Sequence, residues 1–191
     1  MDSGDPPPHL AEWIGRLRRR GSHPAFIEPG RGRCVTYCEL DEISCRTANL
    51  FLSLGVRRGD CVGIALHNSL EALFVFLGAI RMGAVPLPVE PLVKANELNA
   101  IIEEFAPRLL ILDSALEGSP KPSGSILKLV IDTFVGGGHG GIDLAEGIEG
   151  FEAVCALPEI ALDHPALISL TSGTSGRPKG ASISHRAVWA R

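Results

Sequence analysis

Short apolar segments alternate with longer amphipathic segments along this chain. Apolar runs that predict buried strands lie at 61–66, 84–89, 108–112, 126–131 and 166–170. Apolar residues at helical spacing predict helices at 10–20, 37–54, 69–82 and 94–105. Segments rich in Gly, Pro and Ser predict loops at 119–125 and 136–141. Because strands that alternate with helices are typical of a buried parallel sheet, the pattern predicts an α/β fold, with a mostly parallel sheet and helices on both faces.

Turn and capping residues mark where several of these elements begin. Thr36 and Glu39 form a capping-box pattern at the start of the second helix, and Asn68 and Glu71 repeat that pattern at the third. The turn at 29–32 joins two short extended segments, which predicts a hairpin ahead of the second helix.

Composition and length place the chain among globular proteins. It has 191 residues, of which 45% are hydrophobic and 21% are charged, and its formal net charge is -4. This apolar content is too high, and this net charge too small, for a disordered chain. The mild acidity gives no electrostatic reason to expect a nucleic-acid partner. The length suits about one domain with a buried core.

The N-terminus and the cysteines indicate where the protein works. Residues 1–9 hold three consecutive prolines and two aspartates, so we expect a disordered tail and no secretory signal. The longest apolar stretch, 70–80, is too short to span a bilayer. The five cysteines are an odd number without paired spacing, which argues against a disulfide framework and a zinc site. We therefore expect reduced thiols in a cytoplasmic protein.

The segment that follows the last predicted strand carries the chemistry. Residues 171–180 read TSGTSGRPKG. Glycines at 173, 176 and 180 let backbone N–H groups approach an anion, hydroxyls donate to phosphate oxygens, and Lys179 neutralises charge. The residues predicted to bind phosphate are Thr171, Ser172, Gly173, Thr174, Ser175, Gly176 and Lys179. The segment is not a Walker P-loop, in which Ser or Thr follows the lysine, and the alternative interpretation is an exposed turn between two strands.

These ten residues resemble the phosphate-loop signature of the adenylate-forming, AMP-binding superfamily. That superfamily includes acyl-CoA synthetases, luciferases and nonribosomal adenylation domains. VTYCEL at 35–40 and the block at 54–91 resemble two further family motifs, and His185-Arg186 stands where the family often has His-Arg. Ser175 departs from the pattern, because the family more often has threonine there, but the hydroxyl is retained. The residues around the loop resemble fatty-acid–CoA ligases more than amino-acid-activating enzymes.

The resemblance implies a fold, a reaction and a set of ligands. The fold would be the N-terminal portion of the adenylate-forming enzyme fold, and the reaction an ATP-dependent, AMP-forming ligation of a carboxylic acid to CoA. ATP and Mg²⁺ are the implied cofactors, and a carboxylic acid with CoA or an acyl carrier are the implied partners. His185 is expected to be structural and to start the next helix.

The resemblance also implies how the chain is organised. After the tail at 1–9, residues 10–191 would form the N-terminal part of an AMP-binding domain, truncated just after the phosphate loop. The family's adenine-binding and ribose-binding segments and its catalytic lysine come later, so we expect a fragment that is inactive alone and holds no catalytic residue. The alternatives are a non-catalytic remnant that binds a partner, the start of a carrier-protein-directed adenylation enzyme, and an unrelated nucleotide-binding module.

Overall fold

Six α-helices and eight strands follow one another in the described part of the chain. The computed structural model describes residues 9–114, 126–131, 141–171 and 177–190. The helices are α1 (Leu10–Leu17), α2 (Tyr37–Ser53), α3 (Leu70–Arg81), α4 (Ala95–Phe105), α5 (Leu144–Ile148) and α6 (His185–Trp189). The strands are β1 (Pro24–Glu28), β2 (Arg33–Thr36), β3 (Cys61–Ala65), β4 (Val85–Pro88), β5 (Leu109–Asp113), β6 (Leu127–Ile131), β7 (Pro165–Thr171) and β8 (Lys179–Ser184). None of the helices in these ranges has both the length and the apolar character that a membrane span requires.

A four-stranded parallel sheet lies at the centre of the fold. Its strand order is β4–β3–β5–β6, and every neighbouring pair is parallel. Every residue of β5 is buried, as expected for a strand that is covered on both faces. Pro86 and Pro88 cannot donate ladder hydrogen bonds, and β4 accommodates them because it lies at the edge of the sheet. The predicted α/β fold with a mostly parallel sheet is confirmed.

Helices pack on both faces of this sheet, as the sequence predicts. On one face, apolar side chains of α2, α3 and α5 pack against β3 and β5, and Phe51 of α2 is fully buried among them. On the other face, Leu98 and Ile102 of α4 contact the sheet, and Ile168 and Leu170 of β7 pack against the same cluster. The core that holds α4 therefore also fixes β7, which leads into the predicted phosphate-binding segment.

Polar caps set the starts of α2 and α3. The Thr36 hydroxyl accepts from the backbone N–H of Glu39 at 3.3 Å, and the Glu39 carboxylate accepts from the N–H of Thr36 at 2.8 Å. The predicted capping box at α2 is therefore confirmed. The capping box predicted at Asn68 is wrong, because Ser69 is the N-cap of α3 and its hydroxyl accepts from the N–H of Ala72. Asn and Ser suit this position about equally, so residue type alone did not decide between them.

The N-terminal elements lie where the sequence predicts them. α1 continues into a short 3₁₀ turn at Arg18–Arg20 and ends at Gly21, whose φ of 59° lies in the left-handed region that favours glycine. β1 and β2 form the predicted antiparallel hairpin. From the predicted tail at 1–9 only His9 is described, and its ring caps α1 by accepting from the N–H of Glu12. The rest of that tail lies outside the described residues.

The sequence analysis did not predict α5 and β8. α5 has only five residues, and Asp143 caps it by accepting from two backbone N–H groups. β8 pairs antiparallel with β7, but its first four residues are exposed, so no apolar alternation marks it as a strand. The predicted loop at 119–125 and most of that at 136–141 lie outside the described residues.

Candidate functional site

The predicted phosphate-binding segment connects β7 to β8, and its described ends, Thr171 and 177–179, are called the hairpin tip below. β7 leads into the segment and β8 leads out of it, and the antiparallel register pairs Thr171 with Lys179. The Thr171 hydroxyl donates to the backbone carbonyl oxygen of Lys179 at 3.3 Å. The two ends of the segment, eight positions apart in sequence, are therefore held together.

Two of the seven residues predicted to bind phosphate belong to the described part of the chain. Thr171 and Lys179 both have exposed side chains at the base of the hairpin tip. The five that lie outside the described residues are Ser172, Gly173, Thr174, Ser175 and Gly176. The structure thus brings together the first and last members of the predicted set, and the contacts of the other five stay a prediction.

Two cationic side chains flank the hairpin tip. Arg177 and Lys179 are both exposed. The ion pairs formed among the described residues involve neither of them. Exposed lysine is a mobile point cation, and arginine presents several donors to a phosphate group. The tip therefore carries positive charge that an anionic ligand can approach from solvent.

Gly180 has a packing role that the sequence analysis did not predict. A Cβ at this position would lie 2.7 Å from Cγ2 of Ile168 and 2.8 Å from the ring of Phe105. Strand β8 therefore lies too close to α4 and to its own partner strand for a side chain at this position. The sequence analysis placed Gly180 against an anion, whereas the structure places it against Phe105. The sequence carries no signal for the pairing of β8 with β7, so the contact between Gly180 and Phe105 could not be predicted from it.

Alanine in place of Gly180 is expected to destabilise the hairpin. The added methyl group forces Ile168, Phe105 or the strand to move, and such overpacking lowers the free energy of unfolding by about 1–3 kcal/mol. Gly150→Ala is the matched control, because no atom lies within 4 Å of a Cβ built there. Urea denaturation of both variants measures the difference. Equal stability of the two variants would argue against this packing role.

Two cavities are alternative places for a ligand, and neither suits a phosphate group. One of about 580 Å³ is lined by the end of β4, by α4 and by β7 up to Thr171, and its charged side chains are Glu90 and Glu97. The other, of about 650 Å³, lies between β1, the start of α3 and the end of β4, and its charged side chains are Glu28 and Glu90. Among the described residues no lysine or arginine lines either cavity, and carboxylates repel phosphate. The hairpin tip is therefore the better anion site.

His185 is a buried residue that joins the two ends of the described chain. It is 2% exposed, and its Nδ1 accepts from the backbone N–H of Leu10 at 3.1 Å. Burial, followed by the neighbouring rings of His9 and His164, lowers the pKa of His185 to about 4. The neutral ring can therefore keep accepting from α1 at neutral pH. The prediction that His185 starts the next helix is confirmed, because α6 begins there.

The protein is expected to lose stability as the pH falls from 6.5 toward 4. The pKa of His185 is lowered from 6.5 to about 4 in the folded chain, so between these values the unfolded chain binds the extra proton. The contribution of the neutral His185 ring to the free energy of unfolding is therefore fully present above pH 6.5 and is lost progressively between pH 6.5 and 4. His185→Asn keeps an acceptor for Leu10 but does not titrate, so its melting temperature should fall less steeply. His23→Asn, at an exposed position, is the control and should follow the parent, and identical slopes for all three proteins would contradict this prediction.

Comparison with known proteins gives this geometry a context. The family profile described as AMP-binding enzyme matches residues 15–191. The long-chain-fatty-acid–CoA ligase FadD13 of Mycobacterium tuberculosis is 28% identical over 185 residues, which cover 92% of this chain and 35% of that protein. A 4-chlorobenzoate–CoA ligase of Arthrobacter sp is 32% identical over 183 residues, which cover 94% of this chain and 33% of that protein. The crystal structure of ATP-bound MatB from Rhodopseudomonas palustris is 28% identical, with a TM-score of 0.75 over 92% of this chain and 35% of that one.

The family match extends through the β7–β8 hairpin. The matched range includes both Thr171 and Lys179, so the paired ends of the predicted segment lie within it. The chain spans about a third of the length of the curated relatives it matches.

Proposed function

The chain belongs to the AMP-binding enzyme family, and we propose that it supplies the ATP phosphate-binding part of an AMP-forming acid–CoA ligase. The family match through the hairpin carries this proposal. In such a ligase a carboxylate attacks ATP, pyrophosphate leaves, and a thiol then displaces AMP from the acyl adenylate. The residues from 10 onward would form one part of an AMP-binding domain. The rest of the activity would need segments like those that make up the remaining length of the relatives.

The hairpin tip is the part of this chain to which we assign the phosphates of ATP. In this proposal the hydroxyl of Thr171 and the ammonium group of Lys179 contact phosphate oxygens, and residues 172–176 complete the site. Two described features support the assignment: the ends of the segment are paired, and Lys179 is exposed without an ion-pair partner in the described ranges. Fixed donors around a leaving pyrophosphate stabilise the charge that develops on it.

Mg²⁺ is proposed to enter with ATP and not to occupy a site built by the protein alone. Within the described ranges no group of three or more His, Cys, Asp or Glu side chains is placed to hold a metal ion. Mg²⁺ commonly keeps several waters and binds through substrate phosphates with one or two carboxylates. The described residues fit that arrangement only if the phosphates supply most of the ligands.

The family membership suggests the chemical class of the acid substrate and of the thiol that accepts the acyl group. The relatives named above are a fatty-acid–CoA ligase and a chlorobenzoate–CoA ligase. The chemical group that a fatty acid and chlorobenzoate share is the carboxyl group. We propose a carboxylic acid and CoA for the whole enzyme, with an acyl carrier as the alternative thiol. A cytoplasmic location is part of the proposal, and it depends on the unpaired cysteine spacing of the sequence.

Two measurements test the proposal. Titration of the chain with ATP should give saturable binding, because the hairpin tip is present. Exchange of labelled pyrophosphate into ATP, dependent on an added carboxylic acid, should not occur with this chain alone. Efficient exchange by the chain would contradict the need for further segments, and absence of ATP binding would contradict the phosphate site. If the protein consumes ATP, release of ADP in place of AMP and pyrophosphate would favour an unrelated nucleotide-binding module.

A further inference from the structure

Two cysteines from distant parts of the chain lie side by side. Sγ of Cys45, in α2, is 2.7 Å from Sγ of Cys155, which lies between α5 and β7. The two residues are 110 positions apart. A covalent S–S bond is about 2.05 Å long, so only a small movement separates this pair from a disulfide. The sequence gives no sign of this, because the spacing of the five cysteines shows no pairing.

Hydrogen bonds hold the segment around Cys155 against α2. The side-chain amide of Asn49, one helical turn after Cys45, donates to the carbonyl oxygen of Val154 at 3.0 Å. The guanidinium group of Arg46 donates to the carbonyl oxygen of Phe151 at 2.5 Å. Both donors lie on the same part of α2 as Cys45. These hydrogen bonds of the neighbouring backbone therefore hold Cys155 beside Cys45.

The surroundings of the pair favour a thiolate at Cys45. Nη2 of Arg81 lies 2.8 Å from Sγ of Cys45. The hydrogen bond from Cys155 and the charge of Arg81 outweigh burial and lower the pKa of Cys45 to about 6. The contact with Cys45, together with burial, raises the pKa of Cys155. Of the two sulfurs, that of Cys45 is therefore the more acidic and the better placed to react as a thiolate.

The remaining charges near the pair are partly matched to one another. Asp41, the carboxylate that faces Cys45, forms ion pairs with Arg81 at 2.8 Å and with Arg18 at 3.1 Å. Glu42 pairs with Arg18 at the surface. The charge of Asp41 is thus divided between two guanidinium groups, which limits its repulsion of a thiolate at Cys45.

A small cavity borders both cysteines. Its volume is about 260 Å³, and Cys45 and Cys155 both line it. Arg18 and Val154 also line it, and Val154 is 79% exposed, so the cavity opens at the surface. Cys45 itself is only 2% exposed and Cys155 is half-buried, so a molecule the size of hydrogen peroxide would reach Cys45 by way of this cavity.

We propose that Cys45 and Cys155 form a reversible disulfide when the protein reacts with hydrogen peroxide. The Cys45 thiolate attacks one peroxide oxygen, the O–O bond breaks, and hydroxide leaves and becomes water with the proton that Cys45 gave up. The sulfur of Cys155 then attacks the sulfur of the sulfenic acid, the S–S bond forms, the S–O bond breaks, and water leaves with the Cys155 proton. The two sulfurs lose two electrons and one peroxide becomes two waters. A small dithiol reverses the reaction by thiol–disulfide exchange.

Oxidation of the intact chain tests the proposal. After treatment with one equivalent of peroxide, two of the five thiols should be lost, and mass spectrometry of a non-reduced digest should find Cys45 linked to Cys155. The melting temperature should rise on the order of 10 °C, because the link closes a long loop in the unfolded chain. Dithiothreitol should restore all five thiols and the original melting temperature. Retention of all five thiols, or linkage of another pair, would overturn the proposal.

Serine variants separate the two steps. Cys155→Ser removes the second thiol, so Cys45 should accumulate as a sulfenic acid that dimedone traps, and the rise in melting temperature should disappear. Cys45→Ser should abolish both the trapped adduct at this site and the disulfide. Cys34→Ser, at an exposed cysteine, is the control and should oxidise like the parent. Circular dichroism of the reduced variants checks folding, and disulfide formation that persists in Cys155→Ser or fails in Cys34→Ser would contradict the assignment.

Discussion

Asp41→Ala lowers the free energy of unfolding by about 3–5 kcal/mol. Asp41 is 7% exposed and Arg81 is 5% exposed, and their ion pair measures 2.8 Å. Removal of the carboxylate leaves the buried guanidinium group of Arg81 with only the Cys45 sulfur, at 2.8 Å, to offset its charge, and this poorly compensated charge is the main source of the loss. Arg81 also donates to the carbonyl oxygen of Ala11 at 3.2 Å. The variant should therefore loosen α1 as well as the contact between α2 and α3.

The exposed pair between Asp163 and Arg186 provides the matched control for this prediction. Its two side chains approach to 2.7 Å, but both are well exposed, so water and salt screen their attraction. Asp163→Ala should leave the urea midpoint unchanged within error, whereas Asp41→Ala should shift it strongly with a similar slope. If the two variants lose the same stability, the Asp41–Arg81 pair does not stabilise the fold in the way proposed.

This ion pair also illustrates which features the sequence can predict. The capping box of Thr36 and Glu39 joins residues three positions apart, so the order of residues is enough to find it. Asp41 and Arg81 are forty positions apart, and the apolar pattern of α3 says only that most of the helix is buried. Which carboxylate meets a buried arginine depends on how α2 packs on α3. Pairings of this kind, including that of Cys45 with Cys155, therefore need the folded structure.

The candidate site was predictable to a similar degree. Local order was enough to propose Thr171 and Lys179 as phosphate contacts, because hydroxyls, glycines and a lysine cluster within ten residues after an apolar run. The pairing of these two residues depends on β8, whose small and exposed residues carry no strand pattern. The reason for glycine at position 180 likewise depends on Phe105 of α4. The pairing of Thr171 with Lys179 and the need for glycine at position 180 thus depend on packing between elements, which the sequence of one segment does not show.

Lys179→Ala is expected to weaken ATP binding by about 10- to 100-fold, the effect of losing one hydrogen bond to a charged group. The ammonium group is exposed beside the hairpin tip, where it can reach a phosphate without first breaking an ion pair among the described residues. Isothermal titration calorimetry measures the change in Kd. Because the contribution is electrostatic and exposed, the difference between parent and variant should shrink as the salt concentration rises.

Two further substitutions show whether the position of the charge matters. Lys128, on β6, is also an exposed lysine within the described ranges, but it lies on the parallel sheet and not at the hairpin tip. Lys128→Ala removes the same net charge and should leave the Kd for ATP unchanged, whereas Lys179→Arg keeps the charge and should recover part of the affinity. If Lys128→Ala weakens binding as much as Lys179→Ala does, only the net charge of the chain matters, and the assignment of phosphate to the hairpin tip fails.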